Sequence, residues 1–115
     1  MLNEGTTMLD EAELKGLLGR DVVDLDGKSV GNLETFWVDT ATGAPEWLGV
    51  FSGAFFTHHR LVPIQGAGRG GSAITVPWTK DQIGKAPEYE NPDAPIPEEL
   101  EREAYRHYGL EPAQV

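Results

Sequence analysis

Hydrophobic positions in this chain fall into short alternating runs punctuated by glycine, most densely between residues 18 and 63. Val22, Val23 and Leu25 precede Asp26-Gly27, and Ser29-Val30-Gly31-Asn32-Leu33 follows. Two β-branched runs around Asp-Gly predict a hairpin, because glycine accepts the positive φ that so tight a turn demands. Residues 34–39 predict a continuation of the second strand or a third one, with Gly31 as a bulge where the chain bends. Residues 46–52 and 58–64 predict two further strands, the first reached through a turn at 40–45 and the second ended by Pro63. Period-two alternation puts Phe36, Val38, Leu48 and Val50 on one face, read as the interior, and Trp37, Trp47 and Phe51 on the other. Residues 65–72 carry too much glycine for regular structure, and 73–76 form a last short strand.

Helical signals flank this β-rich centre. Asp10 with Glu13 has capping-box spacing; Leu14, Leu17 and Leu18 share a face behind it, and Gly19 is the stop. Thr79 with Gln82 repeats that spacing ahead of Pro87. Residues 88–97 shift to Pro, Asp, Glu and Asn, a composition that predicts a stiff, extended linker. Pro97 then suits the start of a helix whose dipole is complemented by Glu98 and Glu99 at one end and by Arg102 and Arg106 toward the other. Leu100, Ala104, Tyr105 and Tyr108 give it a narrow apolar stripe, which packs either on the sheet or on a second protomer. The expected organisation is a disordered tail at 1–9, a β domain at 10–87, an acidic proline-rich linker at 88–97 and a helix at 98–110.

Composition narrows the function classes. A chain of 115 residues suffices for one core without a staple, and the absence of cysteine removes disulfides, thiolate metal sites and thiol nucleophiles. Nineteen acidic residues against nine basic ones give a charge of −10, and the cations are scattered, so a nucleic-acid partner is not expected. No secretory leader and no apolar run of about 20 residues is present, which predicts a cytoplasmic protein without a membrane span.

Candidate chemistry resolves mostly into structure. Gly66-Ala67-Gly68-Arg69-Gly70-Gly71 satisfies G-x-G-x-x-G, but a strand rather than a helix is expected after it, so a hairpin loop replaces a dinucleotide site. His58 and His59 are neighbours on a strand and point to opposite faces, which does not suit one metal ion; His107 is remote in sequence. The carboxylate pairs Asp24 with Asp26 and Asp39 with Glu46 fit turn capping better than acid–base work. No nucleophile elbow occurs, and neither a catalytic residue, a cofactor nor a metal is expected.

The succession from Leu18-Gly19-Arg20-Asp21-Val22-Val23 through Asp26-Gly27-Lys28-Ser29-Val30-Gly31-Asn32-Leu33, Phe36-Trp37-Val38-Asp39, Leu61-Val62-Pro63-Ile64 and Val76-Pro77-Trp78-Thr79-Lys80 resembles the PRC-barrel family. The resemblance covers about residues 14–87, and Tyr105-Arg106-His107-Tyr108-Gly109-Leu110 is similar to the end of stand-alone bacterial members. It implies a mainly β fold, a small and strongly bent barrel with short flanking helices and a C-terminal helix, serving as a non-catalytic docking module for proteins. The family takes its name from the cytoplasmic domain of the photosynthetic reaction-centre H subunit, and a similar barrel ends a ribosome-maturation factor. The resemblance therefore also implies two alternatives, a role in the light reaction and electron transfer, and one in RNA processing. Members often carry a serine before the proline that opens the last helix; Ile96 stands there in this chain.

Against that background the aromatics are the candidate site. Trp37, Trp47 and Phe51 on the outer face, Phe55 and Phe56 in the loop, and Tyr105 and Tyr108 on the helix are predicted to bind a protein partner or a second copy in a homodimer. The competing expectation is that Leu14, Leu17, Leu18, Tyr105 and Tyr108 cover those rings within one chain.

Overall fold

A computed structural model of the chain describes residues 9–52 and 58–110. In order these form α1 (Glu11–Gly16), β1 (Asp21–Val23), β2 (Ser29–Val38), β3 (Pro45–Ser52), β4 (His58–Pro63), β5 (Gly68–Gly70), β6 (Ala73–Thr75), α2 (Lys80–Gly84) and α3 (Glu98–His107). The strands make one open six-stranded sheet in the order β4-β3-β2-β1-β6-β5. Every pairing is antiparallel except that of β1 with β6. The fold is mainly β, as the sequence predicts, but the sheet curls without closing into a complete barrel.

Two irregularities bend it. Gly31 has φ 148°, and the β1–β2 register slips beside it, from Val22 opposite Gly31 to Val23 opposite Ser29, so the expected bulge forms here; a side chain at Gly31 would also run into the Phe51 carbonyl of β3. Farther along β2 the register passes from Leu33 opposite Val50 to Thr35 opposite Gly49, leaving Glu34 as the extra residue. Leu33 and Phe36 therefore both face inward although three positions separate them.

The inner core gathers Leu14, Leu17, Val22, Leu33, Leu48, Val50, Val62, Ile74 and Ile83, with Phe36 packed at its margin. Leu48 and Val50 are interior as alternation predicts. Val38, the last residue of β2, belongs to neither apolar cluster; the register shift beside it, from Trp37 opposite Trp47 to Val38 opposite Pro45, leaves Glu46 of β3 as the extra residue. Leu9, assigned to the tail from sequence, is buried in this core.

α1 carries the full capping box between Asp10 and Glu13, yet it ends at Gly16, and Leu18 beyond it is 45% exposed rather than on the packed face. Leu25 lies in the hairpin turn and not in β1, at 62% exposure. The glycine run expected to be irregular forms β5, which pairs with β6. Pro97 is the N-cap of α3 instead of its first helical residue, and it supplies no side-chain cap; Ile96 packs into the apolar cluster under the helix.

Asp24 fastens the hairpin to α2. Its Oδ1 accepts the backbone N–H of Asp26 and of Lys28, each at 2.8 Å, and its Oδ2 accepts that of Lys80 at 2.8 Å. Burial raises the carboxyl pKa, but the three N–H donors and the Lys28 charge outweigh it, so the group is held below its ordinary value. A lowered folded-state pKa contributes stability above the unfolded pKa that is lost as pH falls through the folded one. Asp24→Asn, which turns a donor toward the Lys80 N–H, is expected to lower Tm at pH 7, with the gap to wild type closing as pH drops below the ordinary carboxylate range. A gap independent of pH in thermal unfolding would contradict this role.

Candidate functional site

The outer face of β2, β3 and β4 carries its own apolar cluster around Trp47 and Leu61, and the bulge in β2 decides what else it presents. Because Glu34 is the extra residue, both Glu34 and Thr35 join Trp37 on this face. Trp47, Gly49 and Phe51 follow on β3, and His59 and Leu61 on β4, in register as Trp47 opposite Pro63, Gly49 opposite Leu61 and Phe51 opposite His59.

The chain covers most of this surface with its own residues 86–110. At the free edge of β4, Leu61 donates its N–H to the Pro87 carbonyl at 3.2 Å and Tyr89 donates to the His59 carbonyl at 3.0 Å, so the linker adds a strand-like rung. The linker is then tied down by Thr35 Oγ1 to the Pro92 carbonyl (3.2 Å) and Trp37 Nε1 to the Ala94 carbonyl (2.8 Å). α3 closes over the rest. Trp47, only 1% exposed, meets Tyr105 in a tilted ring contact at 4.9 Å between centroids and donates its Nε1–H to Glu101 at 2.9 Å. Tyr108 donates to the Leu61 carbonyl at 2.6 Å and packs on Trp78. Aromatic pairs of this kind add about 0.5–1.5 kcal/mol each beyond area burial.

At the margin of the cover the rings run in a row that is buried at Tyr89, 3% exposed, and reaches solvent at Phe51, 36% exposed. Phe51 meets His59 at 4.8 Å between centroids, His59 meets Tyr89 at 5.2 Å, and Tyr89 meets Trp37 at 4.9 Å. Glu34 sits among them, its Oε1 accepting from Tyr89 Oη at 2.6 Å and His59 Nδ1 at 2.7 Å. Burial, and then the Glu34 carboxylate, push the Tyr89 phenol well above the tyrosine range, so it remains a proton donor. Burial first, and then Glu101 and Asp39, raise the pKa of Glu46, a sign of crowded carboxylates beside Trp47. Between the linker and α3, next to Trp37, lies a groove of about 420 Å³ whose walls include Tyr89, Ile96, Leu100 and four glutamates, Glu88, Glu90, Glu99 and Glu103.

The predicted site residues thus separate. Trp47, Tyr105 and Tyr108 come together in a buried cluster, Trp37 is half-buried under the linker, and Phe51 is 36% exposed. Phe55 and Phe56 lie outside the described residues. His59 is engaged with Glu34, while His107 donates its Nε2–H to the Gln82 carbonyl, 2.7 Å away. Asp24 and Asp39 cap turns, Asp39 accepting the N–H groups of Ala41 and Thr42. Sequence reasoning missed Glu34 and Tyr89. The bulge hides the first, and the second is the lone aromatic in a stretch whose composition says linker. Among the described residues no group of three or more potential ligands could hold a metal, and no helix is long and apolar enough to cross a membrane.

Comparison with known proteins gives one family: the model of the PRC-barrel domain matches residues 9–83. No curated protein matches the chain. The matched segment ends before the linker and α3, so the outer cover is added from residues beyond it.

The seat of Tyr89 is tested at Gly49. A Cβ there would lie 2.7 Å from both Tyr89 Oη and Thr35 Cγ2, so Gly49→Ala overpacks the outer face and is expected to cost about 1–3 kcal/mol. The urea midpoint should fall accordingly. An unchanged midpoint would mean that Tyr89 does not lie on β3.

Proposed function

The chain belongs to the PRC-barrel domain family, and from that premise we propose that it is a non-catalytic docking module that binds another protein, or a second copy of itself, through the uncovered end of its outer aromatic face. The observation that supports this best is the ring row ending at Phe51. An aromatic residue 36% exposed at the end of three mutually packed, partly anchored rings is the kind of contact surface that interfaces favour. Trp47, Tyr105 and Tyr108 serve the same surface from beneath, by holding α3 in place, and Phe55 and Phe56 follow β3 directly in the chain. The charge of −10 favours a protein partner over a nucleic acid, and the compartment proposed is the cytoplasm.

Phe51→Ser keeps a small side chain in β3 and removes the ring from the end of the row. The expected result is loss of the partner recovered by affinity purification from the native host, or loss of the dimer mass in light scattering, with Tm within a few degrees of wild type. A folded variant whose mass and partner set are both unchanged would overturn the assignment of this surface.

A further inference from the structure

The groove between the linker and α3 is continuous with the ring row through Trp37 and Tyr89. Its charge is of one sign: Glu88, Glu90, Glu99 and Glu103 line it, and no lysine, arginine or histidine does. Glu88 is engaged by His58 at 3.6 Å and Arg60 at 3.5 Å, but among the described residues Glu90, Glu99 and Glu103 form no ion pair. Glu99 and Glu103 stand one helical turn apart on α3, a like-charge spacing that works against the helix. The same helix pairs Glu98 with Arg102 at that spacing, and Glu103, though in no ion pair, also borders a neighbouring hollow lined by Lys85, Arg106 and His107.

Beneath the carboxylates the surface is apolar, built from Trp37, Ile96 and Leu100. We propose that this groove receives an arginine or lysine side chain carried on an extended segment of the partner protein, the aliphatic stem lying on Trp37, Ile96 and Leu100 and the cation among Glu90, Glu99 and Glu103. Long cationic side chains bury their stems on apolar surface while their heads stay polar, and a ring face adds cation–π attraction. A volume of about 420 Å³ with an apolar floor is far larger than a bare metal ion needs. An anionic ligand would meet only like charge. The proposal rests on the docking function above and names the chemistry of the partner at one point of the contact.

The test is fluorescence anisotropy with a labelled short peptide of alternating arginine and glycine, its glutamate counterpart, and spermidine as a competitor. Wild type should bind the arginine peptide and not the glutamate one. Glu99→Gln with Glu103→Gln should weaken binding by about tenfold, the scale of one charge-assisted hydrogen bond. Glu11→Gln with Asp26→Asn changes net charge equally at exposed positions that do not line the groove, and should weaken it by less than about twofold. Equal weakening in the two variants, absence of arginine-peptide binding, or binding of spermidine in preference to the peptide would each overturn the proposal. A native partner lost with Phe51→Ser but fully retained by Glu99→Gln with Glu103→Gln would overturn the groove assignment alone and leave the docking function standing.

Discussion

A sheet with apolar side chains on both faces has no side it can leave to water, and that constraint shapes this molecule. The inner face is filled by α1, α2 and the curl of the sheet itself, around Leu14, Leu48, Val50, Val62, Ile74 and Ile83. The outer face, with Trp47 and Leu61 at its centre, has no second sheet to pack on among the described residues, and residues 86–110 supply the cover. Tyr105, Ala104 and Tyr108 do so from α3, while Tyr89 and Ile96 do so from the linker. Three of the polar groups carried into that layer find a partner across it, Trp47 Nε1 with Glu101, Trp37 Nε1 with Ala94, and Tyr108 Oη with Leu61, whereas the buried Trp78 Nε1 has none among the described residues.

Covering the face from within one chain leaves Trp47, Tyr105 and Tyr108 buried. A tether of the linker's length gives α3 an effective concentration on the order of millimolar at its own sheet, so a separate protein seeking Trp47 competes at a disadvantage. The surface left over is the margin, where the row from Phe51 through His59 runs in to the buried Tyr89 and to Trp37, and the acidic groove opens beside Trp37. Glu34 fixes that margin by holding His59 and Tyr89 through one oxygen, which limits the rearrangement a partner would have to induce. The family match ends at residue 83, so both the cover and the groove walls it contributes belong to the part of the chain outside the shared domain.

Much of this was legible in the sequence because the signals are local. The Asp10 and Glu13 capping box, the Asp26-Gly27 turn, the bend at Gly31 and the apolar stripe of α3 each depend on residues a few positions apart. Facing was legible only while the alternation held. Leu48 and Val50 obey it, whereas the register shift at Leu33/Thr35 turns Glu34 and Thr35 to the same side, and Val38, at the end of β2, lies outside the core. That Trp47, Tyr105 and Tyr108 are buried while Phe51 stays exposed was not legible, since it depends on contacts between residues more than fifty positions apart, such as Trp47 with Glu101. Composition misled at Tyr89, where a proline-rich acidic stretch reads as a spacer yet inserts a ring against Gly49.

The claim that carries the rest is that α3 covers the outer face of its own chain. Isotope-filtered NOE spectroscopy on an equal mixture of labelled and unlabelled protein measures it directly. The account predicts strong contacts between the Trp47 and Tyr105 rings, and between Trp37 and Ala94, within one labelled chain and none across chains. Contacts seen only between labelled and unlabelled chains, or absent altogether, would contradict it.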